Sequence, residues 1–166
     1  MASRFKGFSF ELIKVNEIDG VISDIVKTAA GGILSNKEFL KRAIANPDSI
    51  TIVCKSKDKV LGLINGFAIR NQPVSPQITL IWVKDRTSAV RGIAPALIER
   101  FTVEVKRQRP NSLSIDVSLP TIDVDSVALY SMNGFVIEGF IKGQYNGPDM
   151  IVMRRNLRDP SKTPVS

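Results

Sequence analysis

Ile78-Thr79-Leu80-Ile81-Trp82-Val83 is followed, after a turn of small and polar residues, by Arg91-Gly92-Ile93-Ala94-Pro95, and the fold is decided here. Residues 78–83 are β-branched, apolar or aromatic and read as a strand. Residues 95–107 put Leu97, Ile98, Phe101 and Val105 on one stripe at helical spacing. Arg109-Pro110-Asn111 ends that helix, because the residue before a proline is driven out of the helical region. The first turn of a helix carries amide hydrogens without internal partners, and its aligned peptide dipoles add partial positive charge. Together these make an anion site. Gly92 lets a ligand approach the backbone because it has no Cβ; Ala94 is nearly as small, and Pro95 suits a first helical position. An ordinary strand-to-helix connection would read the same way. There is no Gly-x-Gly-x-x-Gly at a strand end and no Gly-Lys-Ser/Thr, which argues against a dinucleotide fold and excludes a P-loop.

Working outward, residues 8–14 alternate as a first strand. Asn16, with Asp19 three residues on, predicts the start of a helix whose stripe is Ile18, Val21, Ile22, Ile25 and Val26 and whose end is Gly31-Gly32. Ser35 and Glu38 predict a second helix with Phe39, Leu40, Ala43 and Ile44 inward, stopped by Asn46-Pro47-Asp48. Residues 50–55 and 60–70 read as strands joined by the turn at 56–59. Downstream, Leu113, Ile115, Val117 and Leu119 alternate as a half-buried strand. Residues 121–132 read as a short helix closed by Asn133-Gly134, and 135–141 and 150–154 as two last strands. The order is β-α-α-β-β-β-α-β-α-β-β, an α+β or α/β sheet with helices on its faces. Residues 1–157 read as one domain and 158–166 as a loose tail.

Composition narrows the chemistry. The chain has 166 residues, 43% hydrophobic and 23% charged, the range of a soluble globular domain. No apolar run nears the ~20 residues of a membrane span, and the first residues show no secretion signal, so the expected location is the cytoplasm. The chain contains no His, which removes Ser-His-Asp chemistry and His-bound zinc; no metal is expected. Cys54 is the single cysteine and sits in an apolar run, as a packed thiol does. Proton transfer is left to carboxylates, Tyr, Lys or water. Lys plus Arg exceed Asp plus Glu by 23 − 16 = 7, which favours polyanionic partners, nucleic acid or cofactor phosphates. The basic residues are mostly dispersed and carry no interleaved aromatics, so nucleic acid is not expected.

The 78–95 block resembles the acyl-CoA motif of the GNAT superfamily of N-acetyltransferases, Arg/Gln-x-x-Gly-x-Gly/Ala, with Gly92 and Ala94 on its last two fixed positions. Ala89 falls on the first and departs from it, Arg91 standing near as an alternative charge. Leu129-Tyr130-Ser131-Met132-Asn133-Gly134-Phe135 resembles the family's Leu-Tyr-x-x-x-Gly-Phe signature, and residues 145–153 resemble its closing strand. The resemblance covers residues 8–157 and extends to ribosomal-protein and archaeal N-terminal acetyltransferases. It implies a mixed, mostly antiparallel central sheet, a splayed parallel pair formed by the fourth and fifth strands, and helices on both faces. It implies acetyl-CoA as acyl donor and a primary amine as acceptor: a peptide, a protein or a small molecule. The backbone of Ile81, Trp82 and Val83 would meet the pantetheine. Arg91, Gly92, Ile93, Ala94, Pro95 and Ala96 would surround the pyrophosphate, with Asp123 and Ser126 also at the cofactor. Tyr130 would protonate the leaving thiolate. The fourth strand lacks the carboxylate that many relatives use as a base, which keeps an acyl-CoA-binding module without turnover in play. Asp116, Tyr145 and the stretches 31–36 and 143–149 are the remaining candidates for base or acceptor wall. Monomer and homodimer are both compatible with the sequence.

Overall fold

The computed structural model describes residues 7–29, 32–57, 59–67, 75–85, 92–143 and 147–158. Among these, seven strands form one sheet: β1 (Phe8–Leu12), β2 (Ser49–Ser56), β3 (Lys59–Phe67), β4 (Gln77–Val83), β5 (Ser114–Pro120), β6 (Val136–Ile141) and β7 (Met150–Asn156). Their order is β1-β2-β3-β4-β5-β7-β6. All neighbours pair antiparallel except β4 and β5. Four helices accompany them: α1 (Ile18–Thr28), α2 (Lys37–Ala45), α3 (Ala94–Gln108) and α4 (Val124–Met132). The parallel pair needs a crossover, and α3 lies in it. No helix among the described residues is long and apolar enough to cross a membrane.

The helices divide between the faces. Ile18, Val21, Ile22 and Ile25 of α1 and Leu40 and Ile44 of α2 pack with Val53, Val60, Leu63, Leu80 and Trp82 on one side. Leu97, Ile98, Phe101 and Val105 of α3 pack with Ile50, Ile52, Ile64, Ile78, Ile115 and Val117 on the other, where α4 adds Tyr130. Each fully buried large apolar side chain contributes about 1.5–3 kcal/mol. Glycine sets how closely α3 approaches β3. A Cβ on Gly66 would meet the Phe101 ring and, at 2.7 Å, the Gln77 carbonyl oxygen. On Gly62 it would meet Ile93 at 3.0 Å and Leu97 at 3.1 Å.

Helix starts differ from the sequence expectation in two places. Asn16 does not cap α1. Residues Val15–Glu17 form a short 3-10 turn, and the Glu17 carboxylate reaches back to accept from the Lys14 amide at 3.1 Å. Ser35 belongs to another such turn, Gly32–Ser35, and Asn36 caps α2, its side-chain oxygen accepting from Phe39 N–H at 3.0 Å. α1 also stops at Thr28, before the glycine pair, with Ala29 N–H bonded to the Ile25 carbonyl at 2.9 Å.

Candidate functional site

β4 and β5 pair at only two positions, Gln77–Asp116 and Ile78–Val117. The cause lies in the next residue. Along the β3–β4 ladder Asn65 faces Leu80 and Gly66 faces Ile78, so Thr79 is an extra residue, a β-bulge. A bulge bends its strand and increases its twist. Here it also turns the strand over: Ile78 joins the α3-side core, whereas Leu80 and Trp82 join the α1-side core. Beyond it, β4 stays with β3 up to Val83, and β5 stays with β7 to Pro120. The two strands part, leaving a notch whose walls are backbone. Lys84 N–H bonds the Leu61 carbonyl at 2.9 Å, so by strand alternation Trp82 turns its backbone groups to β3, while those of Ile81 and Val83 face away and have no ladder partner in β5.

The first turn of α3 stands beside the far end of β4. Gly62, opposite Val83, is the residue whose missing Cβ admits Ile93 and Leu97. Gly92 and Ile93 are themselves π-helical, Ile93 with φ −70° and ψ −48° and no side-chain cap, and residues 86–91 before them lie outside the described ones. No acidic residue occupies the first turn, so nothing in the helix competes for its positive end. Gly92, Ile93, Ala94 and Ala96 each bring an amide donor; Pro95 brings none. Ile93 and Ala94 are buried, and Gly92, Pro95 and Ala96 are half-buried. Arg91 and Ala89 lie outside the described residues, as does Tyr145.

Tyr130 is the one buried residue of α4. Its ring sits edge-on to Phe135, centroids 5.1 Å apart at 73°, in the core shared with Ile115, Val117 and Leu119 of β5. Burial, with a smaller push from the Asp123 carboxylate, raises the phenol well above its ordinary value, so it stays protonated. Asp123 and Ser126 come together as a helix cap, Ser126 N–H donating to Asp123 Oδ1 at 3.1 Å. That cap seats α4 immediately after β5, through Asp123 N–H on the Pro120 carbonyl at 3.0 Å. Trp82 is core: its indole N–H donates to Thr28 Oγ1 at 3.2 Å, tying the end of α1 to β4. Cys54 is buried, its thiol pushed up to about 11 by desolvation.

Asp116 stands at the closed end of the notch, on the face away from α3. Both its oxygens accept from the Arg154 guanidinium at 2.8 Å, and Glu138 lies 3.9 Å from the same group. Beside it Gln77 Nε2 donates to Ser118 Oγ at 3.2 Å, across the strands that are about to part. Sequence reasoning missed the bulge at Thr79 and this lock. A cleft of about 610 Å³ lies elsewhere, between β1 and α1. It shares no residue with the notch, and three of its charges are engaged with one another: Lys55 Nζ lies 2.6 Å from Glu11 and 2.5 Å from Glu17.

No family model and no curated protein matches the sequence. Solved structures do match the fold. The ribosomal-protein-S18-alanine N-acetyltransferase from Escherichia coli superposes with a TM-score of 0.73 at 14% identity, over 96% of this chain and 99% of that one. A GNAT-family structure from Desulfovibrio desulfuricans gives a TM-score of 0.77 at 14% identity, over 90% and 98%. The chain carries the GNAT fold. Spermidine N-acetyltransferase from Vibrio cholerae, solved with CoA and spermine, has the same fold at a TM-score of 0.64 and 17% identity, over 91% and 96%. The mixed sheet with its single parallel pair is therefore the GNAT sheet, as the sequence resemblance implied.

Proposed function

We propose that the chain transfers an acetyl group from acetyl-CoA to a primary amine of a peptide, protein or small molecule, by direct attack. The observation that carries this is the notch between β4 and β5 opening beside the first turn of α3, which holds no acidic residue and no side-chain cap. The pantetheine fits the notch, its amides bonding the outward backbone groups of Ile81 and Val83, on either side of Trp82. The pyrophosphate fits the α3 turn, where the amides of Gly92, Ile93, Ala94 and Ala96 donate and the helix dipole favours negative charge. Arg91 adds its charge to the same end in this reading. Asp123 and Ser126 act by fixing α4, and so Tyr130, against β5.

The chemistry needs few groups. The amine lone pair attacks the thioester carbon, and the oxyanion takes a hydrogen bond from a β4 backbone N–H. The C–S bond then breaks, and sulfur must gain the proton that nitrogen loses. A phenol held above its usual range is a reluctant acid. Tyr130 therefore gives its proton to sulfur in step with the proton leaving nitrogen.

Calorimetry with CoA and acetyl-CoA tests the binding half; absence of heat removes the proposal. Ala96→Glu, which puts a carboxylate in the first turn, weakens CoA about tenfold or more. Tyr130→Phe lowers kcat by about 10²-fold with the CoA affinity unchanged. A binding module without turnover is the second reading, favoured by the absence of a carboxylate in β4. CoA heat with no thiol released from a broad amine panel would select it.

A further inference from the structure

An ammonium has no lone pair, so the attacking nitrogen must arrive neutral or be deprotonated in the site. β4 contains no ionisable side chain, and β5 contains one, Asp116. Both oxygens of Asp116 are bound by Arg154, and the next charge outward is the carboxylate of Glu138, on the far side of that guanidinium. From α4 the groups nearest β5 are Tyr130, which stays protonated, and Asp123, held by the Ser126 amide. Asp149, ahead of β7, accepts from Gly143 N–H at 2.8 Å. Asp85, two residues past β4, has an interaction of its own. The neighbouring stretches 68–74, 86–91 and 144–146 contain no carboxylate, histidine or cysteine.

We infer that this site leaves deprotonation of the acceptor to solvent and thereby selects an amine already neutral near pH 7.5, the α-amino group that begins a peptide or protein chain, over a lysine ε-amine or a polyamine. The inference rests on the acetyl-transfer reading above. An α-amine with a pKa of about 7.7–8.0 is roughly 30% neutral at pH 7.5, whereas an alkylamine near 10.4 is about 0.1% neutral. The advantage is on the order of 200-fold before any contact is made. The chain's net charge of +7 opposes a polycation as well. The step balances without a base on the protein. The amine has already lost one proton to water; its lone pair forms the C–N bond, the C–S bond breaks, and the second proton passes by way of Tyr130 to sulfur. The products are an amide and free CoA thiol.

The test is thiol release from acetyl-CoA at pH 7.5 and 9.5. The acceptors are an alanine-initiated peptide, an N-terminally blocked peptide with one lysine, and spermidine. The expected kcat/KM favours the free α-amine on the order of 200-fold at pH 7.5, shrinking to about 10-fold at pH 9.5 as the alkylamines ionise less. The acidic limb moves with the pKa of the acceptor and keeps its slope in Asp116→Asn. A limb that stays fixed when the acceptor changes, or disappears in Asp116→Asn, reveals a base on the protein and overturns the inference. Equal or better turnover of spermidine at pH 7.5 overturns it too and leaves acetyl transfer standing. If CoA binds and no amine releases thiol, the transfer reading fails and this inference falls with it.

Discussion

Strands β2, β3 and β4 are covered on both faces, by α1 and α2 on one side and α3 on the other. Strands β5, β7 and β6 have no residue in the α1-side core, and in β6 five of six residues are exposed. The difference shows where each half gets its stability. The first is held by burial, with glycines at 62 and 66 drawing α3 against the sheet. The second leaves one face open beside the notch and is stitched there by charge, Asp116 to Arg154 to Glu138. In the proposed reaction the acceptor has to reach the thioester from one side, and the open face is the side that no helix among the described residues covers.

The largest expected effect contrasts one aromatic from each half. Phe101 is fully buried on α3, and Phe140 on β6 is 70% exposed. Phe101→Ala lowers the unfolding free energy by about 3–5 kcal/mol. Phe140→Ala changes it by less than about 0.5 kcal/mol. Urea denaturation of both variants at low concentration decides. A large loss at Phe140 would mean that β6 is covered in solution, and the contrast between the halves would dissolve.

What the sequence disclosed follows the same division. The stripes of α1, α2 and α3 were legible because each helix buries one face, and burial writes a period of 3.6 into the chain. The start of α3 was legible for a local reason, since Pro95 is at home in a first helical turn. The bulge at Thr79 was not. Ile78, Leu80 and Trp82 stand at even spacing and read as one face of a strand, yet Ile78 lies on the opposite side from the other two. One inserted residue reverses the face, and only pairing with β3 reveals it. Asp116 lies between Ile115 and Val117 of the core and so points away from it. Its partner lies 38 residues on, and no local pattern announces a pairing at that distance. Asn65 is the one polar residue inside the buried run of β3 and faces Leu80 beside the bulge. Its Oδ1 is buried without a partner among the described residues, a further cost borne where the strand changes face.

The second effect is intermediate and falls on the open half. Asp116 and Arg154 are directly opposite on β5 and β7, with side chains 17% and 37% exposed. Arg154→Met and Asp116→Asn each cost about 1–2 kcal/mol, above a surface ion pair because the fork is bidentate and partly shielded. A double-mutant cycle should return a coupling near 1 kcal/mol. Coupling near zero would assign the cohesion of this half to backbone pairing alone.

The smallest effect belongs to an ion pair in the buried half, where charge has little left to do. The Lys55 ammonium, with help from the Lys14 amide, holds the Glu17 carboxyl below its ordinary range. A carboxylate whose folded value lies below its unfolded value stabilises the fold above the unfolded pKa, about 4.3. It loses that contribution as pH falls through the folded one. Glu17 is 27% exposed, so solvent screens the pair and its contribution is roughly 0.5 kcal/mol at pH 7. Glu17→Gln should therefore be less stable than the parent by about that amount at pH 7, with the gap closing as pH falls through the folded value of the parent carboxylate. A gap that stays constant as pH falls would show that the side chain acts through packing or its bond to the Lys14 amide. Charge would then be no distinguishing device of either half, and Asp116 with Arg154 would have to be explained the same way.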